Sequence, residues 1–183
     1  MKAKDYITIG IFNALFMVLF LIVFFTIGLI PGVTLFTFAF VALFSGVIFL
    51  LMAIEVRKAG VFLLSSAIQS LVFLLVGGFN FYMILFAVIV VVGGVLADLA
   101  ARLRKYSSLA GLGVAYNLYM VCMTLGFWGP VYIWAERFES FIGRDITGGF
   151  ILLILLSTVI ASGAGFWFGK KLLHKHFYKA GMM

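Results

Sequence analysis

Four stretches of the chain contain no Asp, Glu, Lys or Arg: Tyr6 to Ile54, Ala59 to Ala97, Tyr106 to Ala135 and Ile146 to Gly169, with lengths of 49, 39, 30 and 24 residues. A helix rises about 1.5 Å per residue and the hydrocarbon core of a bilayer is about 30 Å thick, so one crossing takes about 20 apolar residues. The two longer stretches hold two crossings each and the two shorter ones hold one. Turn residues divide the long stretches, with Gly28, Pro31 and Gly32 in the first and Gly77-Gly78-Phe79-Asn80 in the second. The pattern predicts helices over about Tyr6–Thr26, Val33–Ala53, Gly60–Val76, Phe81–Leu96, Leu109–Phe127 and Thr147–Phe168. The Glu55-Val-Arg57-Lys58 cluster closes the second, and Pro130 after Gly129 is expected to stop the fifth.

Composition agrees with that pattern. Of 183 residues, 66% are hydrophobic and 10% charged, and the mean hydropathy is +1.28. A soluble domain carries about a quarter charged residues. The expected fold class is an all-α integral membrane protein, one bundle of six transmembrane helices over residues 1–183, with no room for a soluble catalytic domain. Lys2 and Lys4 precede the first apolar run, but Asp5 and the length of the run argue against a cleaved signal peptide.

Charge sets an expected orientation. The N-terminus, the Glu55 to Lys58 loop, the Asp98 to Lys105 loop and the C-terminal tail carry eleven of the thirteen Lys and Arg residues, while the opposite side has Arg137 and Arg144. Cytoplasmic segments are enriched in Lys and Arg, which puts both termini in the cytoplasm. The pI near 9.7 then reflects residues that flank spans and meet anionic lipid headgroups, not a nucleic-acid surface.

Inside the spans, small residues recur at four-residue steps: Ser157, Ala161, Gly165 and Gly169 in the sixth helix, Gly10 and Ala14 in the first, Gly111 and Ala115 in the fifth. Gly93, Gly94 and Ala97 cluster in the fourth. Such stripes let backbones approach closely, either within the bundle or against another subunit. The intramembrane amides Asn13, Gln69 and Asn117 need partners, because an unpaired amide in hydrocarbon is costly. No Asp, Glu, Lys, Arg or His lies near the middle of any predicted span, which argues against a proton relay or a charged ion pathway.

Trp128 to Thr147 is the most informative stretch outside the spans. Trp134, Phe138, Phe141 and Ile142 share one helical face, with Glu136, Arg137, Glu139 and Ser140 mostly on the other, as in a short amphipathic surface helix. Trp128, Tyr132 and Trp134 fit an aromatic belt at the membrane interface. They also fit a lid that closes, with Asn80 and the glycine-rich turns, over a pocket for a small amphipathic solute. The candidate substrate-binding residues are therefore Gln69, Asn80, Tyr82, Asn117, Trp128, Tyr132, Trp134 and Glu136.

Catalytic groupings are poor. Asp98-Leu-Ala-Ala-Arg102 faintly resembles half of a metal-binding transferase motif, but without a second Asp it reads as a helix end, with Asp98 and Arg102 pairing across one turn. His174 and His176 lack a nearby carboxylate or thiol, and Cys122 stands alone. No enzyme, metal or cofactor is expected. Nor is there a nucleotide-binding motif, so if the chain drives uptake, the energy comes from a partner.

The opening, with Lys-Asp-Tyr-Ile-Thr-Ile-Gly-Ile-Phe-Asn-Ala-Leu up to Leu15, the ending from Gly169-Lys-Lys-Leu-Leu-His-Lys-His to Gly181, and the middle Gly94-Val-Leu-Ala-Asp98 resemble the MptD or Trep-Strep type of energy-coupling factor transporter substrate-binding subunits. The resemblance covers nearly the whole chain. It implies a six-helix S component that captures a small micronutrient from outside and works with a transmembrane coupling subunit and two cytoplasmic ATPases. It also implies a docking surface on the first helix like the family's Ala-x-x-x-Ala, here at Gly10 and Ala14 beside Asn13, with Gly replacing the first Ala. The pocket implied lies under the outer loops, Gly28 to Gly32, Gly77 to Asn80 and Trp128 to Thr147. A stand-alone secondary transporter or channel is the alternative reading.

Overall fold

The structure, a computed structural model, describes residues 1–30, 32–104, 106, 108–134, 148–173 and 175. Among them the chain forms six α-helices: α1 Ala3–Thr26, α2 Thr37–Val56, α3 Val61–Gly77, α4 Phe81–Leu103, α5 Leu109–Ile133 and α6 Gly148–Leu172. Five are long and apolar enough to cross a membrane, with the stretch leading into α2 counted from Thr34, whereas α3 has 17 residues. The protein is an all-α integral-membrane bundle.

The predicted helices are all present, but most run further than the apolar pattern implied. α4 continues from Leu96 to Leu103 and α6 from Phe168 to Leu172. Apolarity marks where the chain meets hydrocarbon, whereas helical hydrogen bonding continues into the headgroup layer until a cap or turn stops it. Pro130 does not stop α5. The helix runs on to Ile133, and the Trp134 N–H donates to the Pro130 carbonyl at 3.0 Å. Proline removes one donor but keeps its acceptor, so the last turn still closes behind it. α2 is preceded by a 3₁₀ turn, Thr34–Phe36, where the Thr34 hydroxyl donates to the Gly28 carbonyl at 2.6 Å and the Thr37 hydroxyl donates back to Thr34 at 2.7 Å. The expected amphipathic helix at Trp134 to Thr147 lies outside the described residues beyond Trp134, as do Pro31, His174 and His176.

The helices pack as a ring in which α1 touches α2 and α3, α3 touches α4, α4 touches α5, α5 touches α6, and α6 returns to α2. A direct α2–α5 contact crosses the middle. Phe49 is the hub: its ring lies 5.4 Å from Phe16, 6.1 Å from Phe62 and 5.3 Å from both Tyr116 and Tyr119, so one side chain of α2 meets α1, α3 and α5.

Small residues set the closest approaches. A Cβ added at Gly165 would lie 2.2 Å from the Leu43 carbonyl oxygen, and one at Gly46 would lie 2.4 Å from the Gly165 carbonyl carbon. Most of the α6 stripe is thus explained inside the bundle, since Gly165 and Gly169 are its buried members and both face α2. Gly94 plays the same part between α4 and α3, where an added Cβ would strike the Ser66 hydroxyl at 2.1 Å. Backbone against backbone leaves no flexible atom to move aside, so we predict that Gly165→Ala costs about 1–3 kcal/mol of stability. Unfolding of the variant in mild detergent, followed by circular dichroism, checks this; a midpoint equal to wild type would mean that α2 and α6 are not in contact there.

Candidate functional site

One end of the ring gathers the chain's described charges. The Lys58 ammonium pairs with Asp5, which also accepts the Lys2 N–H, and Lys4 lies 3.6 Å from Glu55. The exposed Lys4–Glu55 pair adds little to stability. Asp98 is not held by Arg102 as the one-turn spacing suggested. Its carboxylate reaches across to the first turn of α3, accepting the Leu63 N–H at 2.8 Å and the Phe62 N–H at 3.4 Å, and it takes a hydrogen bond from the Tyr106 hydroxyl. The reason is local: the residue just before α3, at its N-cap, is Gly60, φ +95°, which has no side chain to cap the exposed N–H groups, and an anion is favoured at a helix N-terminus. Partial burial, then the adjacent carboxylate, raises the Tyr106 phenol above its ordinary pKa, so it remains a donor.

At mid-depth a polar chain links three helices and reaches a fourth. The Asn13 amide of α1 donates to the Ile9 carbonyl at 2.8 Å and to the Ser65 hydroxyl at 2.9 Å; its oxygen accepts from Gln69 at 2.8 Å; the Gln69 oxygen accepts from the Tyr119 hydroxyl at 2.6 Å; and Ser65 donates to the Met52 sulfur at 3.3 Å. Every member is buried. Next to it Tyr116 donates to the Ala42 carbonyl and meets Ser45 at 2.8 Å.

Toward the opposite end the interior is closed by phenylalanines that the sequence pattern did not single out. Phe20, Phe38, Phe127, Phe86 and Phe73, one from each of α1, α2, α5, α4 and α3, form a cycle whose successive ring centroids are 6.1, 5.1, 6.3, 5.3 and 4.9 Å apart. Twenty-two phenylalanines in an apolar chain hide which five converge, and only the helix order reveals it.

The sequence-predicted site residues divide by location. Tyr82 and Trp134 come together, their rings 5.7 Å apart and both packed edge-on with Phe81, where α4 begins and α5 ends. Tyr132 is exposed nearby on the last turn of α5, and its hydroxyl would lie 3.4 Å from a Cβ at Gly148, the first residue of α6. Asn80 caps α4, accepting the Met83 N–H at 3.0 Å and donating to the Gly77 carbonyl at 3.1 Å. Gln69 belongs to the mid-depth chain. Asn117 lies apart, donating to the Val159 carbonyl of α6 at 3.0 Å. Glu136 lies outside the described residues. Trp128 is 1% exposed and packed edge-on to Phe127 at 5.2 Å, and its indole N–H has no hydrogen-bond partner among the described residues.

Of the three docking candidates, Asn13 turns inward. Gly10 and Ala14 lie on the outer side of α1 with exposed Ile7, Ile11, Leu15 and Val18, and a Cβ at Gly10 would meet nothing within 4 Å. No group of three or more His, Cys, Asp or Glu that could hold a metal occurs among the described residues.

A ring of apolar helices whose buried amides are paired internally, with charge confined to the helix ends, defines a multi-pass integral membrane protein. Residues 3–179 match the family described as "Hypothetical bacterial integral membrane protein (Trep_Strep)", and the chain belongs to that family. No curated protein and no solved structure matches it.

Each side-chain nitrogen and oxygen of the mid-depth chain has at least one partner, so removing one member leaves others unpaired. Gln69→Leu strands the Asn13 carbonyl oxygen and the Tyr119 hydroxyl; the expected cost is about 1–3 kcal/mol, read as a lower unfolding midpoint in detergent. A midpoint at or above wild type would mean that the amide contributes nothing to the fold.

Proposed function

We propose that this chain is the substrate-binding S component of an energy-coupling factor importer, with six spans and both termini cytoplasmic. It captures a small vitamin-like solute at the aromatic end and delivers it together with a transmembrane coupling subunit and two ATPases. The observation that carries the reading is Trp128. A buried donor without an acceptor costs about 1–3 kcal/mol, and here it stands edge-on to Phe127, a member of the phenylalanine cycle, at the end away from the basic residues, a setting suited to a ligand that offers an acceptor and a flat apolar face. The Phe20–Phe38–Phe127–Phe86–Phe73 cycle would form the floor of such a pocket. The excess of Lys and Arg at the other end supports the orientation.

The outer face of α1 supports the partner half. Gly46, Gly93, Gly94 and Gly165 are each filled to within 3 Å by a neighbouring helix, whereas Gly10 opens away from the bundle. With Ala14 one turn on, it offers a narrow strip against which another membrane helix could pack closely.

Native mass spectrometry of the chain gently purified from bacterial membranes tests both halves. Wild type is expected to carry a reproducible small-molecule adduct, and Trp128→Phe, which keeps an aromatic ring but removes the donor, to bind it about tenfold more weakly. Gly10→Leu and Ala14→Leu are expected to keep the adduct while losing a co-expressed energy-coupling module. Unchanged adduct occupancy in Trp128→Phe refutes the pocket, and an intact complex with both leucines in place refutes the docking strip.

A further inference from the structure

We infer that the groove between α5 and α6 is a binding site for one anionic phospholipid, its headgroup at the basic end and an acyl chain lying along the groove. The groove has a volume of about 630 Å³ and opens sideways from the bundle. Its lining includes Gly113, Asn117 and Val121 of α5 and Gly163, Trp167 and Lys170 of α6. An added Cβ at Gly163 would meet nothing within 4 Å, while one at Gly113 would touch the Phe166 ring at 3.0 Å, so Phe166 and Gly113 form the floor and Gly163 leaves one wall low. Along α5 the lining runs from Leu109 to Val121, about 18 Å at 1.5 Å per residue. That matches one leaflet of a hydrocarbon core about 30 Å thick.

Charge identifies the occupant. Lys170, at the end of α6, forms the mouth of the groove; Lys171 follows it, held with its ammonium 5.3 Å from the centroid of the exposed Trp167 ring. The lining also includes Leu109 and Ala110, the first residues of α5, whose leading N–H groups have no acceptor within the helix and favour an anion. A cationic mouth over an apolar trough one leaflet long complements a phosphodiester headgroup with a hydrocarbon tail. An uncharged or zwitterionic lipid would fill the trough but gain less from the mouth. This site lies at the opposite end from the proposed substrate pocket and does not depend on it.

The test uses the full chain in bilayer nanodiscs of equimolar phosphatidylglycerol and phosphatidylcholine, with retained lipid counted by native mass spectrometry. Wild type is expected to retain one phosphatidylglycerol in preference to phosphatidylcholine, and Lys170→Gln to reduce that preference about fivefold. Gly163→Leu, which fills the trough from the α6 side, is expected to abolish retention. Should Gly163→Leu fail to fold, Val114→Trp fills it from the exposed α5 side and decides the matter. Equal retention of the two lipids by wild type, an undiminished preference in Lys170→Gln, or undiminished retention in the folded filled variant each overturns the assignment. So does an oligomer without lipid that the filling substitution dissociates.

Discussion

Hydrocarbon offers no hydrogen-bond partners, and the rest of this structure follows from how the chain answers that constraint at its centre. Asn13, Gln69 and Tyr119 come from three different helices, yet each amide or hydroxyl finds a complement in the next, with Ser65 and the Ile9 carbonyl taking the two N–H groups of Asn13. A chain of this kind fixes the rotation of α1, α3 and α5 about their own axes, because turning any one of them by a single residue would leave at least two buried groups unpaired. Apolar packing alone does not have that property, since one phenylalanine substitutes for another at small cost. The same rotation brings five phenylalanines into a closed cycle one or two turns away and turns Gly10 and Ala14 outward.

Much of this was legible in the chain. Charge-free stretches and glycine turns located the helices because both report solvent directly: charge marks the headgroup layers, and glycine clusters mark where the backbone reverses. What could not be read were features that depend on which helices are neighbours. The Ser157–Gly169 stripe reads equally as a surface for another subunit or as an internal seam, and only the adjacency of α6 and α2 makes it mostly the latter. Asp98 and Arg102 have a spacing that permits a one-turn pair, but the stronger demand comes from α3, which starts just after a glycine and borrows its cap from α4. Asn13, grouped with Gly10 and Ala14 by closeness in sequence, turns inward to α3: it stands about 100° round the helix from Ala14 and about 60° from Gly10, enough to move it from the outer side to the interior.

The two ends of the bundle serve different chemistry. The basic end is locked by the Lys58–Asp5 pair and by Asp98, contacts that hold helix starts together. The other end is built from aromatic side chains and contains the buried, unanswered indole N–H of Trp128. Between them the phenylalanine cycle and the polar chain form two successive barriers.

The central claim, that the polar chain is a sealed and water-free junction, is tested by thiol accessibility. In a Cys122→Ser background, Ser65→Cys should resist a membrane-impermeant thiol reagent applied from either side of the vesicle, while Tyr132→Cys, at an exposed position, should react. Labelling of Ser65→Cys from either side would mean that water reaches the junction and would contradict the account.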